Sequence, residues 1–243
     1  VYYSNFMPAD GIWSKSILPF FFDKEFFLKR NEFIKSKLPE LYSIILNNNI
    51  NANETYKDKI GHNDLFSDKV MYLDGTRYYL DNINLLNKSI YFNNPAVLYL
   101  SGNNFFNETF LKGPFMIVQK SGKLKVQNTV FDSLKNISVK GTNWTGSINI
   151  INSHTEFTNV QLKNINAEDA INFVNSKGKL KNIEVNNSSS DAIDIDFGEF
   201  DFENLTCRDI KNDCLDVSSS KINGKNLAGY NVNDKVLSSG EKS

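Results

Sequence analysis

Histidine, cysteine and proline are scarce in this chain, at two, two and five residues of 243. His62, His154, Cys207 and Cys214 are too few and too scattered for a zinc centre. Two cysteines make no disulfide framework. The expectation is a pair of small buried thiols, because a free cysteine packs as a small apolar side chain. Long apolar runs are also missing. The run "ILPFFF" is followed at once by charges, whereas a membrane span needs about 18 apolar residues. Nor is there an excess of one charge: 27 Lys and Arg face 28 Asp and Glu, a net charge of −1. No global basic field exists to neutralise phosphates, so nucleic acid is not an expected partner. The glycine-rich nucleotide loops, the HExxH metalloprotease helix and the GxSxG elbow are all absent. The chain opens on Val1 without a signal-peptide pattern, and we read it as part of a longer protein.

What is present falls into two regions. A hydrophobic content of 40% with 23% charged residues is that of a globular chain, not a disordered one. In residues 1–60, Phe27, Ile34, Leu38, Leu41 and Ile45 lie on one stripe of an amphipathic helix. Pro39 interrupts the stripe, so two helices or a kink are predicted. "NNNINANETYKD" reads as a polar loop, and residues 61–77 as a linker. From residue 78 to 243 the pattern changes to short strands and turns.

Those strands repeat. Asn182, Asn204 and Asn226 are spaced by 22, with Asn159 placed 23 before them and Asn128 in an equivalent context. A second register runs through Asp169, Asp191, Asp213 and Asp234, and a third through Asn149, Asn172, Asp194 and Asp216. Three registers in step, on segments too short for a crossover helix, define a parallel β-helix of about 22 residues per coil. Alternation then points Ile171, Phe173, Ile193, Ile195, Leu215 and Val217 inward, and residues 172, 194 and 216 outward. The asparagines are expected to form a ladder at a turn, where left-handed backbone is tolerated. Asp191 and Asp213 are expected to bond local backbone N–H groups. The chain stops partway through a further coil, so the β-helix reads as truncated at that end.

The acids are concentrated. Residues 191–216 hold nine Asp and Glu against Arg208 and Lys211, a local balance of −7. Asp194, Asp216 and Asp196 should share one outer face on adjacent coils, where like charges raise a pKa or call for a cation. Three outcomes follow. Asp194 and Asp216, with Asp213, form an acid/base group acting on a glycosidic bond. Alternatively Asp194, Asp196 and Asp216, with Ser218, supply part of a calcium shell. The third outcome is a solvated acidic face. Trp144, in "GTNWTGSINI", is a candidate stacking platform for a sugar ring. Asn172, Arg208 and Lys235 are the other candidate substrate contacts. His154, in "NSHTEF", reads as a loop residue.

"SSDAIDID" followed by "KNDCLDVSSS" resembles the right-handed parallel β-helix of pectin-active enzymes. In the polygalacturonase-like branch the pattern is Asn-Thr-Asp, then Asp-Asp-Cys, then Gly-His-Gly on successive coils. Asp191 would match the first acid and Asp213 the second of the pair. Asn212 replaces the partner acid, and Lys235 stands in place of the histidine. "WTGSINI", "EDAINFVNS", "SDAIDIDF", "DCLDVSSSKI" and "DKVLSSGEKS" resemble the β-helix region of bacterial surface proteins that also carry a CotH-like domain. "FFLKRNEFIKSKL" resembles the helical end of such a domain. The resemblance implies a cell-surface or extracellular module that binds or scaffolds polysaccharide, with calcium as a candidate cofactor. The rival expectations are a polysaccharide lyase, hydrolase or epimerase on the same face, and a purely structural stalk.

Overall fold

The computed structural model describes residues 68–74, 76–138, 142 and 144–240. The helical expectation for residues 1–60, His62 and most of the expected linker lie outside the described residues. The described chain is an all-β parallel solenoid of about eight turns, without helix.

Each full coil lays strands on three faces. The first face is built by Arg77–Asp81, Ala96–Ser101, the opening residues of Phe115–Asp132 and of Gly146–Ile165, then Asp169–Val174, Asp191–Asp196, Leu215–Ser218 and Leu237–Ser239. The second face carries residues 103–107, 123–127, 154–158, 177–181, 199–203 and 221–225. The third runs from Val70–Leu73 through Ser89–Phe92 to residues 227–232. All the pairings are parallel. Ile171 pairs with Ile193, Ile193 with Leu215 and Leu215 with Leu237, each exactly one repeat further along the chain. Val70 already pairs with Ser89, a shorter step, so the solenoid starts before residue 78, in coils too short to show the later period.

Alternation decides what fills the tube. Ile171, Phe173, Ile193, Ile195, Leu215 and Val217 are all buried, as expected. Phe92 stacks on Phe115 at 4.5 Å between ring centroids, and Phe173 meets Phe200 at 4.5 Å. Each buried aromatic or branched residue contributes about 1.5–3 kcal/mol relative to exposure, and the repeat multiplies this along the axis.

The corners are held by side-chain ladders. Between the second and third faces, Asn226 Nδ2 donates to Asn204 Oδ1 and Asn204 to Asn182, each at 2.7 Å. Asn182 donates to Asn159 and Asn159 to Asn128, each at 2.8 Å, and Asn128 to Asn107 at 3.1 Å. From Asn128 to Asn226 every rung has φ between 47° and 61°, the left-handed region that asparagine tolerates better than most residues. A second ladder, at the corner between the third and first faces, runs Asn187 to Asn164 at 3.0 Å and Asn164 to Asp132 at 2.9 Å.

Three expectations are corrected. Cys207 and Cys214 are joined in a disulfide, with Cα atoms 5.7 Å apart, and are not free thiols. Both lie on the inner side of the tube, on either side of the corner between the third and first faces, and the corner brings them together. His154 lies in a strand, paired with Lys123 and Lys177, and is not a loop residue. Asp234 is not the fourth member of its register. Lys235 is, because Leu215 pairs with Leu237 and the Lys235 N–H reaches back to Asp213 Oδ1 at 2.8 Å.

Candidate functional site

The first face offers a continuous outer column. Tyr79 pairs with Tyr99, and Tyr99 with Val118; Asn149, Asn172, Asp194, Asp216 and Ser238 follow. The column changes chemistry along the axis. At its start Tyr79 and Tyr99 stack at 4.8 Å. In the middle Val97, Met116 and Val118 are buried beneath Tyr99, Ile137 and Trp144. Ile137 and Trp144 come from the long insertion in the coil that leads from Ile117 to its partner Ile148. That segment is tied down by Lys135 N–H to the Phe115 carbonyl at 3.0 Å and by Asn136 Nδ2 to the Trp144 carbonyl. Ile137 and Trp144 thereby wall off this part of the face, and Lys120 Nζ lies over the Trp144 ring, 5.1 Å from its centroid.

The acids begin where the wall ends. Thr145, next to Trp144, accepts a hydrogen bond at Oγ1 from Asn172 Nδ2. Asn172 Nδ2 also donates to Asp169 Oδ2 at 3.2 Å. Asp194 follows Asn172 in the column, Asp216 follows Asp194, and Asp196 shares the outer side of the Asp194 strand. Adjacent strands lie about 4.8 Å apart, so these carboxyls are close neighbours. Asp216 Oδ1 accepts the Val217 N–H at 2.9 Å. Lys120, Ile151, Val174, Asp196 and Ser218 make a second outer column beside the first, apolar in its middle and acidic toward its end.

Electrostatics follow from burial and crowding. Burial first, then the charges of Asp196, Asp169, Asp216 and Asp191, push the Asp194 carboxyl up to about 8. Burial pushes Asp169 up to about 6, against hydrogen bonds from Thr145 and Asn172. Asp196 is raised by burial and by Asp216. Asp191 is raised by burial, against the hydrogen bond from the Asp213 backbone.

The expected site residues therefore separate. Asp194, Asp196, Asp216 and Asn172 come together, while Trp144 lies earlier along the same face, over Val97, Met116 and Val118. Asp213 is 4% exposed, and its Oδ1 holds the Lys235 N–H, with Lys235 Nζ at 3.8 Å. Asp191 Oδ1 accepts the Asp213 N–H at 2.7 Å. Asp191 and Asp213 do bond backbone, but on the next coil and not locally. Arg208 is elsewhere, on the third face, paired with Glu184 at 3.6 Å and lying over Tyr230 at 4.1 Å. Sequence reasoning places Asp169 only in a periodic register and passes over Thr145. The position of Asp169 one coil before Asp191 is the signal that marks it; Thr145 carries none. Among the described residues, no three His, Cys, Asp or Glu side chains gather in the manner of a metal centre. Among the same residues, no helix is long and apolar enough to cross a membrane.

The fold and this face define a parallel β-solenoid with an acidic track beside an aromatic wall. Compared with known proteins, the chain matches no family model, no curated protein and no solved structure.

Proposed function

We propose that the chain is a polysaccharide-binding module of an extracellular or cell-surface protein, with the first face as its binding surface. The carrying observation is one outer column that carries Tyr79 and Tyr99, then Val118 under Trp144, then Asn172, Asp194 and Asp216 on successive coils, with Asp196 beside them. A flat repeating face suits an extended polymer, since each coil offers polar groups at a period of about 4.8 Å. An aromatic edge suits the apolar side of a sugar ring. The Cys207–Cys214 disulfide supports an oxidising compartment. A right-handed winding agrees with the rule for parallel crossovers. Kinship with pectin-active enzymes or with bacterial CotH-associated β-helices rests on the sequence motifs alone.

A second reading has its own observation. Asp194, raised to about 8, holds a proton at neutral pH beside Asp216, whose oxygen is fixed by a backbone N–H. A carboxyl pair on strands about 4.8 Å apart falls near the spacing used by retaining glycosidases, about 5–5.5 Å. Incubation with neutral and uronate polysaccharides, with and without calcium, separates the readings. Binding without new reducing ends or unsaturated products is expected. Cleavage that disappears in Asp194→Asn/Asp216→Asn would replace the binding reading with the enzymatic one. Absence of retention on every polymer would leave only a stalk.

A further inference from the structure

The third face of the solenoid is grooved. Its outer residues form two columns. One runs from Phe110 through Val130, Gln161 and Glu184 to Thr206. The other begins at Tyr72 and Tyr91 and ends at Arg208 and Tyr230. The asparagine ladder borders the first column, and the two together with Arg208 line a groove of about 600 Å³. The groove spans the coils of Asn128, Asn159, Asn182 and Asn204, three strand spacings or roughly 14 Å.

The lining has a definite chemistry. Each rung donates one Nδ2 hydrogen to the rung before it and accepts one hydrogen bond at Oδ1 from the rung after it. A side-chain amide has two hydrogens and two lone pairs, so each rung keeps one of each. A spare donor and a spare acceptor on one amide match a sugar hydroxyl, which both accepts and donates. The two charges in the groove answer each other: Arg208 Nε lies 3.6 Å from Glu184, which also accepts from Gln161 Nε2 at 3.1 Å. The Thr206 hydroxyl and the Arg208 guanidinium make no hydrogen bond among the described residues.

Aromatic surface lies at both ends of the groove. Tyr72, 66% exposed, stacks on Tyr91 at 5.2 Å, and Tyr91 meets Phe110, the neighbour of Val130, at 5.9 Å. At the other end the Arg208 guanidinium lies over Tyr230, itself 53% exposed, at 4.1 Å. These rings stand at outer positions and do not fill the tube, and contiguous exposed apolar surface marks a place where something binds.

We infer that the third face binds a neutral polysaccharide chain laid along the solenoid axis, at a site separate from the first face and independent of the reading given to that face. Sugar hydroxyls bond to the spare groups of the rungs, to Gln161 and to Thr206. Arg208, held flat by Tyr230, donates to ring and hydroxyl oxygens. The apolar sides of flanking sugars lie on Tyr91 and Phe110. A charged chain gains no attraction, because Glu184 and Arg208 neutralise each other. A peptide finds no edge to join, since the backbone groups of these coils pair with one another.

Calorimetric titration of the whole chain at pH 7, in low and in high salt, tests this. The probes are neutral hexasaccharides of β-linked glucose, α-linked glucose, mannose and xylose, a galacturonate hexamer and hexaglycine. The proteins are the wild type, Gln161→Ala/Arg208→Ala, the milder Thr206→Val, and Glu199→Gln/Lys221→Gln on the second face as control, each checked by circular dichroism. At least one neutral hexamer should bind the wild type and the control alike, with an affinity insensitive to salt. Its binding should fall at least tenfold in the double variant and about threefold in Thr206→Val, the loss of one hydrogen bond. Should the double variant fail to fold, Thr206→Val decides alone. Wild-type affinity in the folded groove variants would overturn the inference, as would no binding of any neutral hexamer. Binding kept in the double variant but lost in Asp194→Asn/Asp216→Asn would move the site to the first face and uphold that reading alone. Galacturonate bound more tightly than every neutral hexamer would overturn the neutral chain, and hexaglycine bound as tightly would overturn the saccharide.

Discussion

Replacing Asp194 by asparagine should make the protein more stable at alkaline pH and its stability less dependent on pH. The folded protein holds the Asp194 carboxyl protonated to about pH 8, whereas the unfolded chain releases that proton near 3.8. Between those values the folded state binds more protons than the unfolded one, so stability falls as pH rises and levels off above 8. The full shift corresponds to at most about 6 kcal/mol, and residual solvent screening of a half-buried group reduces it to about 2 kcal/mol. For a domain of this size that is a Tm change of about 4–8 °C. Asparagine keeps the shape and carries no charge. The measurement is thermal unfolding of wild type and Asp194→Asn from pH 4.5 to 9. Wild type should lose Tm across pH 5–8 relative to the variant, most steeply between about pH 5 and 7 and flattening through 8. Parallel curves, or a wild type that gains on the variant with rising pH, would refute the electrostatic account of this face.

Other perturbations act on the corners. Asn204→Ala removes two ladder hydrogen bonds at a φ of 59° and should cost about 2–3 kcal/mol in denaturant titration, whereas Asn204→Gly, free of the backbone strain, should cost about 1 kcal/mol less. Asp209→Asn should stabilise by about 0.5–1 kcal/mol. Asp209 accepts from Asn231 at 2.6 Å but as a carboxylate has no proton to donate to Asn187, and an amide would complete the rung. Cys207→Ala/Cys214→Ser should lower stability by about 2–3 kcal/mol through release of a short loop. Because both cysteines are fully buried, reductant should leave the native disulfide intact until the protein is unfolded, as thiol titration would report.

Periodic residues are legible in the sequence because a solenoid writes its geometry into spacing. Asn182, Asn204 and Asn226 recur because each coil turns the same corner with the same left-handed residue. Ile193 and Leu215 recur because each coil fills the same slice of the tube. The earliest coils escape because their length varies: the step from Val70 to Ser89 is shorter than the later repeats and breaks the phase. Asp234 is misplaced by one position because a register read from like residues cannot tell which neighbour the backbone aligns.

The sequence by itself determined the coil, its inner and outer residues, and the gathering of Asp194, Asp196 and Asp216 on one side, all consequences of a strand period of two and a regular coil period. Only the tertiary structure decided what depends on departures from the repeat. The insertion between Phe131 and Ile148 folds Trp144 over Val97, Met116 and Val118 and brings Thr145 to Asn172, a contact that no spacing encodes. The corner joins Cys207 to Cys214, and the third face carries Arg208 away from the acids. A repeat fixes contacts between residues one period apart, whereas these pairings depend on where the corners fall and how one irregular segment packs.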